Sequence, residues 1–471
     1  MKKPPIGLYA IFFMPWLLAE LFGGFYILSY LIAWLGSFFI FYLTLTGKIK
    51  ELPDDRKVSE QLMRPIFLVQ IVFAGYMCCT SFFYFLDVLG YQDFHKNPIL
   101  TLVDQNRLML TAQCQRYYCL AHASFVTGVL LFMKYPNKQR YHIDADKIAN
   151  LLLITALISL PVSIACYLVP GLSQFYFQLG SLSFIAGTLA LAYAIPLKKM
   201  ANTIICLILY FFNFYQALIS GYKEPIIISV LVLGIFLYPN YKKVVTYFLM
   251  PFLLCLFMLL PTYNRVFREN SWTETTDQDE ARSLAIDAVL NSKKDKLNGQ
   301  DDSNWEFYAF RLSEIDMFTI FAKSTPAHIG YYGLKLLEQS FTAIIPRAFW
   351  PSKPSTEDLV MERVYDAGVV YRGSSVSAKP AFVVDAYLSG GPFGIVVCLL
   401  IYGATAQLLS IQAEKLFGGY VLGTALIFSG LFQILWRGLS FEFLINSVFW
   451  SYITMLVIFK IFKTYNVLEE V

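Results

Sequence analysis

The chain has 471 residues, of which 57% are hydrophobic, 17% aromatic and only 15% charged. This composition excludes an ordinary soluble domain. The net charge of +4, without a basic block interleaved with aromatic residues, excludes nucleic acid as a partner. The apolar runs have the length of about 17 to 25 residues that crosses a bilayer as helix, whereas β-barrel strands would alternate apolar and polar residues. The sequence therefore predicts an all-α polytopic membrane protein.

The first apolar run follows Met1-Lys2-Lys3 and superficially resembles a signal peptide. It has no small-residue cleavage site before a polar region, and a second apolar run follows at once, so we interpret it as a retained span. About twelve spans are predicted. They cover residues 6–22, 26–46, 65–89, 117–133, 148–169, 174–195, 201–219, 225–239, 244–262, 381–410, 417–436 and 441–459.

Eight cysteines lie mainly inside these apolar runs, and none has metal-ligand spacing to another cysteine or a histidine. Buried free thiols are the expected state. The sequence predicts no cofactor and no metal site.

Lysine and arginine in the short loops predict the orientation. With the N-terminus in the cytoplasm, the cytoplasmic segments carry eighteen basic residues and the short outer loops only five, as the positive-inside rule requires. Both termini are then cytoplasmic. The predicted organisation is a membrane bundle of about nine spans (1–262), a long external segment (263–380) and a bundle of about three spans (381–471).

Arginine and lysine are distributed unequally between the two sides. Only three of the eighteen cytoplasmic basic residues are arginine, whereas ten of the nineteen external ones are. The planar guanidinium binds phosphate or carboxylate at two points, so an external anionic ligand is one explanation. Ordinary surface ion pairing is the other.

The external segment changes character along its length. Residues 263–303 are polar and predict a solvated excursion. Residues 305–322 predict a helix in which Arg311 and Glu314 lie three apart, either as part of a site or as a local salt bridge. Residues 329–345 are too short and polar to span, and predict an interfacial or re-entrant helix.

A proline-rich stretch follows this helix. Three prolines between Pro346 and Pro354 stiffen the chain, and Phe349 and Trp350 favour the headgroup region. Arg347 and Lys353 are therefore predicted on a rigid frame at the membrane surface, either as ligand-binding cations or as interfacial anchors.

Here the sequence resembles the Wzy-type oligosaccharide repeat-unit polymerases of bacterial cell envelopes. The most specific match is the I-P-R-x-x-W-P-x-K-P segment Ile345–Pro354, preceded by Phe310-Arg311-Leu312 and followed by the small-residue pattern Ala386–Gly394. A weaker match is Lys223, where relatives carry arginine. Motif-level similarity covers about residues 305–405.

The resemblance implies a GT-C-like polymerase or ligase architecture in the bacterial cytoplasmic membrane. It implies metal-independent glycosyl transfer between polyprenyl-diphosphate-linked oligosaccharides at the outer leaflet. Membrane lipids and a chain-length regulator are the further partners that it implies.

A lipid diphosphate leaving group needs cations, and an acceptor hydroxyl needs a base. The predicted diphosphate-binding residues are Lys223, Arg265, Arg268, Arg311, Arg347, Lys353 and Arg437. The candidate bases are Glu314, Asp316 and His328, with Asp385 also considered. For Glu20, Asp87 and Glu442, near span ends, snorkelling is the simplest explanation.

Two alternatives stay open. A ligase that moves finished polysaccharide to a lipid or protein acceptor uses the same donor chemistry. A flippase or transporter of the lipid-linked unit would instead show paired broken helices, inverted repeats and ionisable residues near mid-span. The sequence contains no internal repeat.

Overall fold

The chain is almost entirely helical, as predicted. The computed structural model describes residues 5–91, 103–136, 139–143, 145–169, 172, 174–219, 223–271, 278–295, 302–347, 349–374 and 376–470. Within these ranges the strands are β1 (Tyr141–His142) and β2 (Glu469–Glu470), which pair antiparallel. All eight cysteines are free thiols, and Cys255 is the exposed one.

Seventeen α-helices are labelled here in chain order. In the first half of the chain they are α1 Met14–Leu21, α2 Tyr26–Leu45, α3 Tyr76–Thr80, α4 Phe82–Val88, α5 Gln105–Phe132, α6 Ala145–Leu168, α7 Gln174–Ala194, α8 Met200–Ile219 and α9 Lys223–Leu237. The second half contains α10 Met250–Ser271, α11 Gln278–Asp295, α12 Asp302–Arg311, α13 Ile315–Ser324, α14 Lys335–Ile344, α15 Thr356–Asp366, α16 Phe382–Leu416 and α17 Phe441–Thr464.

Short helical pieces extend or connect these helices. The 3₁₀ helices are Ile6–Phe13, which leads into α1, and Val58–Glu60. The π-helical pieces are Gln70–Gly75 before α3, Val245–Leu249 before α10 and Val421–Phe428. Three- and four-residue α-helical turns occupy Lys242–Val244, Ser429–Leu431 and Ile434–Arg437.

Eight helical segments of the described chain are long and apolar enough to cross a membrane. Three shorter apolar helices accompany them, and α5 is 28 residues long but more polar. Each predicted span coincides with one of these twelve segments. The protein is therefore an all-α membrane protein, but the count of twelve crossings is not confirmed, because only eight segments meet the length and hydropathy that crossing requires.

Helix α5 lies at the centre of the bundle and begins twelve residues before the predicted span at 117. The Asp104 side chain starts it, accepting hydrogen bonds from the backbone N–H groups of Asn106 and Arg107. Most of its side chains are buried. Its polar residues therefore face protein, which explains why a helix of this length has low hydropathy.

Helices α5 and α16 pack side by side and run parallel. A Cβ atom at Gly128 would overlap the Leu400 carbonyl, and one at Gly403 would overlap the Phe125 carbonyl. Only glycine at both positions permits such close backbone contact. This crossing fixes the position of α16 along α5.

The loops cluster at two ends of the bundle, which we call the lysine-rich end and the arginine-rich end. The lysine-rich end comprises residues 46–64, 133–143 and 463–470, joined by the Arg64–Glu414 pair at 3.2 Å and the β1–β2 pairing. The arginine-rich end comprises the last turn of α4, the first turn of α5, the break in α16 at Gly390–Gly391, and helices α11–α15. The first turn of α16 lies deeper, because the Phe382 ring stacks on the Tyr402 ring at 4.7 Å. Segments predicted on one side of the membrane thus contact one another.

The long segment after α10 differs in detail from its prediction. The expected domain boundary at 262–263 falls inside α10, which continues to Ser271. Helix α11 packs back on it through Tyr263, Phe267, Ala281 and Ala285. The single helix predicted over 305–322 is wrong, since the chain forms α12 and α13 with a turn at 312–314.

Helix α16 is broken near the arginine-rich end. Gly390 and Gly391 have non-helical dihedral angles, with φ of +61° at Gly391, and Pro392 begins the longer part. Glycine tolerates this positive φ, and proline favours the first turn of a helix. The helical run 421–437 is also interrupted, at Phe432.

Candidate functional site

Helices α12 and α13 form a hairpin that descends beside α4 and α5. At its top, the Trp305 indole donates a hydrogen bond to Asp87 Oδ1 at 3.0 Å. Further down, the Tyr308 ring lies 5.4 Å from the Phe83 ring. At the bottom, the Tyr76 hydroxyl donates to the Arg311 carbonyl at 3.1 Å. Helix α12 therefore runs antiparallel to α3 and α4.

The turn between α12 and α13, residues 311–316, is called the hairpin tip. The chain turns here because two tyrosine hydroxyls satisfy its free carbonyls: Tyr76 bonds Arg311, and Tyr118 bonds Ser313 at 3.1 Å. Glu314 takes the left-handed conformation, with φ of 56°. Tyr76 lies twelve residues before the end of α4, which places the tip about 18 Å below the arginine-rich end of that helix.

The hairpin tip brings together three of the predicted site residues. Arg311 is exposed, whereas Glu314 and Asp316 are half-buried. Burial raises the pKa of Asp316 above its ordinary value, although the Arg311 and Arg107 guanidiniums act in the opposite direction. An exposed guanidinium thus lies within electrostatic reach of a carboxylate whose basicity is increased.

Arg107 of α5 completes this group. Its guanidinium pairs with Asp87 at 3.0 Å and donates a hydrogen bond to the Tyr84 hydroxyl at 3.2 Å. It also lies 5.7 Å from the centre of the Phe310 ring. Arg107 therefore links α4, α5 and α12 beside Asp316. Two cations, two carboxylates and hydroxyl donors in one place can bind a phosphate group and accept a proton.

A family profile described as a domain of unknown function (DUF8712) matches residues 14–470. The chain belongs to this family. No curated protein and no solved structure matches the chain. The family description names no activity, and function resides in a site rather than in a fold.

Arg347 and Lys353, predicted as a pair of surface cations, differ sharply. Lys353 is buried, and its ammonium group donates to the carbonyls of Ala343 and Ile345, each at 2.8 Å. Burial and the charge of Arg347 lower the pKa of Lys353. Arg347 is exposed, and no hydrogen-bond or ion-pair partner of its side chain lies within the described residues. Lys353 closes the end of α14, and Arg347 alone faces outward.

The interfacial alternative for residues 329–345 agrees with the position of α14. The Trp450 indole donates to the Ile344 carbonyl at 3.0 Å, and its ring lies 5.4 Å from Phe175 at the start of α7. The end of α14 is therefore level with the end of a spanning helix, where tryptophan is favoured. The descending element is instead the α12–α13 hairpin.

The remaining predicted residues lie on separate elements. Arg265 is exposed on α10, Arg437 is exposed just before Gly438, and His328 is exposed after α13. Lys223 begins α9 and Arg268 lies near the end of α10, but both side chains fall outside the described part of the structure. None of these five residues has a described contact with the hairpin tip.

Asp385, considered as a base, belongs to a buried ion cluster. The Arg363 guanidinium donates to both oxygens of Asp385 and both oxygens of Glu442, at 2.8–2.9 Å. The Phe441 backbone N–H adds a further bond to Asp385 at 2.9 Å. Asp385 and Glu442 are 0% exposed. We call this group the Arg363 clamp; it removes Asp385 from reach of a substrate and shows that snorkelling of Glu442 is wrong.

Sequence reasoning missed the partners that α4 and α5 supply. Asp87 and Glu20 are paired with Arg107 and Arg116, each at 3.0 Å, rather than extended toward the headgroups. The available signal was that two arginines and two carboxylates lie at the same predicted membrane surface. Pairing across that surface requires tertiary structure, because the partners are 20 and 96 residues apart.

A surface cleft between α15 and the residues Ser374, Val376 and Ser377 does not suit an anionic substrate. Glu357, Asp358 and Glu362 line it together with Tyr365. Carboxylates repel a diphosphate. Within the described ranges, no three His, Cys, Asp or Glu side chains come together as a metal site.

Proposed function

We propose that the protein is a membrane glycosyltransferase that joins polyprenyl-diphosphate-linked oligosaccharide repeat units at the outer leaflet of the bacterial cytoplasmic membrane. The observation that supports this most is the hairpin tip, where exposed Arg311 and half-buried Asp316 lie together below the arginine-rich end of α4, and the Arg107 guanidinium acts on Asp316 from above. A charge below the membrane surface is costly unless it is paired, binds a ligand or lines a water-filled path. A lipid diphosphate brings anionic oxygens to that depth.

The chemistry requires no covalent enzyme intermediate. The acceptor hydroxyl oxygen attacks the anomeric carbon of the donor sugar, and the bond from that carbon to the diphosphate oxygen breaks. The bonding electrons leave with the diphosphate, whose added charge Arg311 and Arg107 stabilise. Asp316 takes the hydroxyl proton, for which a raised pKa is an advantage. Glu314 is the second carboxylate available for this step.

The same proposal includes twelve crossings with both termini in the cytoplasm. Eight helices of the described chain meet the requirements for crossing by themselves, and the other four segments lie among them in the bundle. The arginine-rich end then faces outward.

Cysteine labelling tests this topology. In a Cys255→Ser background, Ser283→Cys on α11 should react with an impermeant thiol reagent in spheroplasts. Glu51→Cys at the lysine-rich end should react only after the membrane is opened. The reverse pattern would invert the orientation.

Deletion in the host tests the activity. Loss of a polymerase leaves single repeat units, either transferred to their final acceptor or accumulated on the carrier in the outer leaflet. When the deletion strain expresses the Arg311→Ala variant at wild-type abundance, it should still produce only single repeat units. Normal polymer made by this variant would disprove the proposed site.

One observation favours a second candidate, a flippase for the lipid-linked unit. Helix α16 is broken at Gly390–Gly391 and the run 421–437 is interrupted at Phe432, and broken helices are typical of transporters. A flippase deletion would trap repeat units on the inner leaflet. A ligase deletion would instead leave long polymer on its carrier.

A further inference from the structure

Helix α5 carries polar side chains on two opposite faces near the arginine-rich end. At 100° per residue, Tyr118 lies within about 20° of Arg107, on the face that meets the hairpin tip. Arg116 lies about 180° away from Arg107. Gln113 lies on the same side, three residues before Arg116 and four before Tyr117. The proposed chemistry uses only the first face.

The second face forms its own cluster with α1 and α2. Arg116 pairs with Glu20 at 3.0 Å and donates to the Ser29 hydroxyl at 2.9 Å. The Gln113 amide donates to the Tyr117 hydroxyl at 2.8 Å. Glu20 nevertheless keeps 37% of its side chain exposed. The ion pair therefore holds the carboxylate in place without covering it.

An exposed aromatic ring stands beside this cluster. Tyr331 is 43% exposed, and its ring meets the Tyr387 ring edge to face at 6.0 Å. Tyr387 in turn lies 5.0 Å from Tyr117. The adjacent backbone N–H of Tyr332 donates to the Leu388 carbonyl at 2.9 Å, just before the break in α16. The Tyr331 ring is thus fixed by buried tyrosines while part of it remains uncovered.

We propose that Glu20, Gln113, Arg116 and Tyr331 form a carbohydrate subsite for a sugar of the acceptor oligosaccharide away from its reacting hydroxyl. An aromatic ring packs on the apolar face of a pyranose, and carboxylate, amide and guanidinium groups match the hydroxyl groups at its edge. The reacting diphosphate lies across α5 from this subsite. This assignment rests on the proposed polymerase function and gives it a second, separate substrate contact.

The test uses purified protein in nanodiscs with lipid-linked repeat units extracted from the deletion strain. Tyr331→Ala and Gln113→Ala should raise KM for the units by about tenfold, since a good aromatic contact contributes on the order of that factor. Tyr331→Phe should retain most of the affinity. Tyr371→Ala, which removes another exposed tyrosine of the external segment, is the matched control and should behave as wild type.

The outcomes separate this inference from the function on which it rests. If Arg311→Ala abolishes polymer while Tyr331→Ala and Gln113→Ala leave KM unchanged, the subsite is wrong and the Arg116–Glu20 pair only joins α1 to α5. If the wild-type protein makes no polymer from these units, the proposed function fails first. A fall in kcat with unchanged KM would also overturn a binding role.

Discussion

The Arg363 clamp and the hairpin tip both combine arginine with carboxylates, but they differ in how exposed the arginine is. Arg363 has 2% of its side chain exposed, and acceptors surround its guanidinium on Asp385, Glu442 and the Leu359 carbonyl. The Arg311 side chain is exposed at the tip. The Tyr76 hydroxyl holds this residue through its backbone carbonyl and does not use the guanidinium.

This difference shows which arginines of the external excess serve structure and which serve a ligand. A guanidinium whose donors are all used by buried carboxylates joins helices, here α15 to the first turns of α16 and α17. A guanidinium that remains exposed, as at the hairpin tip, is accessible to an anionic ligand. Arginine enrichment by itself therefore identifies the side of the membrane but not the site.

The largest expected effect is the loss of the clamp. Arg363→Ala leaves two buried carboxylates without their cation, which should lower the free energy of unfolding by about 3–5 kcal/mol. We expect little folded protein in detergent by size-exclusion chromatography and a strongly lowered Tm. Arg372→Ala is the control, because its partners Glu362 and Asp366 are exposed, and should change stability by less than about 1 kcal/mol.

Arg311→Ala should lower activity without lowering stability. The folded protein and its Tm should be retained, because the guanidinium is exposed. The rate of polymer formation should fall about 10²- to 10³-fold, as expected when one stabilising donor of a developing charge is removed. Arg311→Lys should recover part of the rate, since it restores charge without two-point geometry. A Tm loss as large as that of Arg363→Ala would assign Arg311 to structure.

Lys353 and Arg347 are a second pair of a buried structural cation and an exposed one, with smaller expected effects. Lys353→Met removes two bonds to carbonyls at the end of α14 and should cost about 1–2 kcal/mol of stability. Arg347→Gln should leave stability unchanged and weaken substrate binding. Thermal unfolding of both variants, together with their KM values, checks the distinction. Equal stability of the two variants would argue against the capping role of Lys353.

The smallest expected effect is a shift in pH dependence. A base works only when deprotonated, so activity should fall as the pH drops through the raised pKa of Asp316, at higher pH than for an ordinary aspartate. Arg311 opposes that rise. In Arg311→Gln the acid limb of the pH–rate profile should therefore move to still higher pH. An unchanged acid limb would favour Glu314 as the base.

Much of the fold followed from hydrophobic run length, because helices in a bilayer must satisfy their backbone internally. All twelve predicted spans fall on helical segments. The errors have local causes. Helix α5 begins at Gln105 rather than 117 because many of its polar residues pack inside the bundle. The segment 305–322 forms two helices because the Tyr76 and Tyr118 hydroxyls donate hydrogen bonds to the Arg311 and Ser313 carbonyls at the turn.

The candidate site was predictable only where its members are neighbours in sequence. Arg311, Glu314 and Asp316 share one short segment, so their common location follows from spacing. Arg107 and Asp87 join them through tertiary contacts that no periodicity encodes. For the same reason the partners of Asp385 could not be inferred, since Arg363 and Glu442 are 22 and 57 residues away.

The glycine crossing of α5 and α16 has a genetic consequence. Gly128 lies about 15 Å along α5 from Tyr118, and Gly403 faces Phe125 from α16. The backbone approach at these two glycines helps to set the position of the broken end of α16 relative to both polar faces of α5. Inactivating substitutions should therefore recur at residues 128 and 403, far from any substrate, and a second-site suppressor should map to the opposite helix.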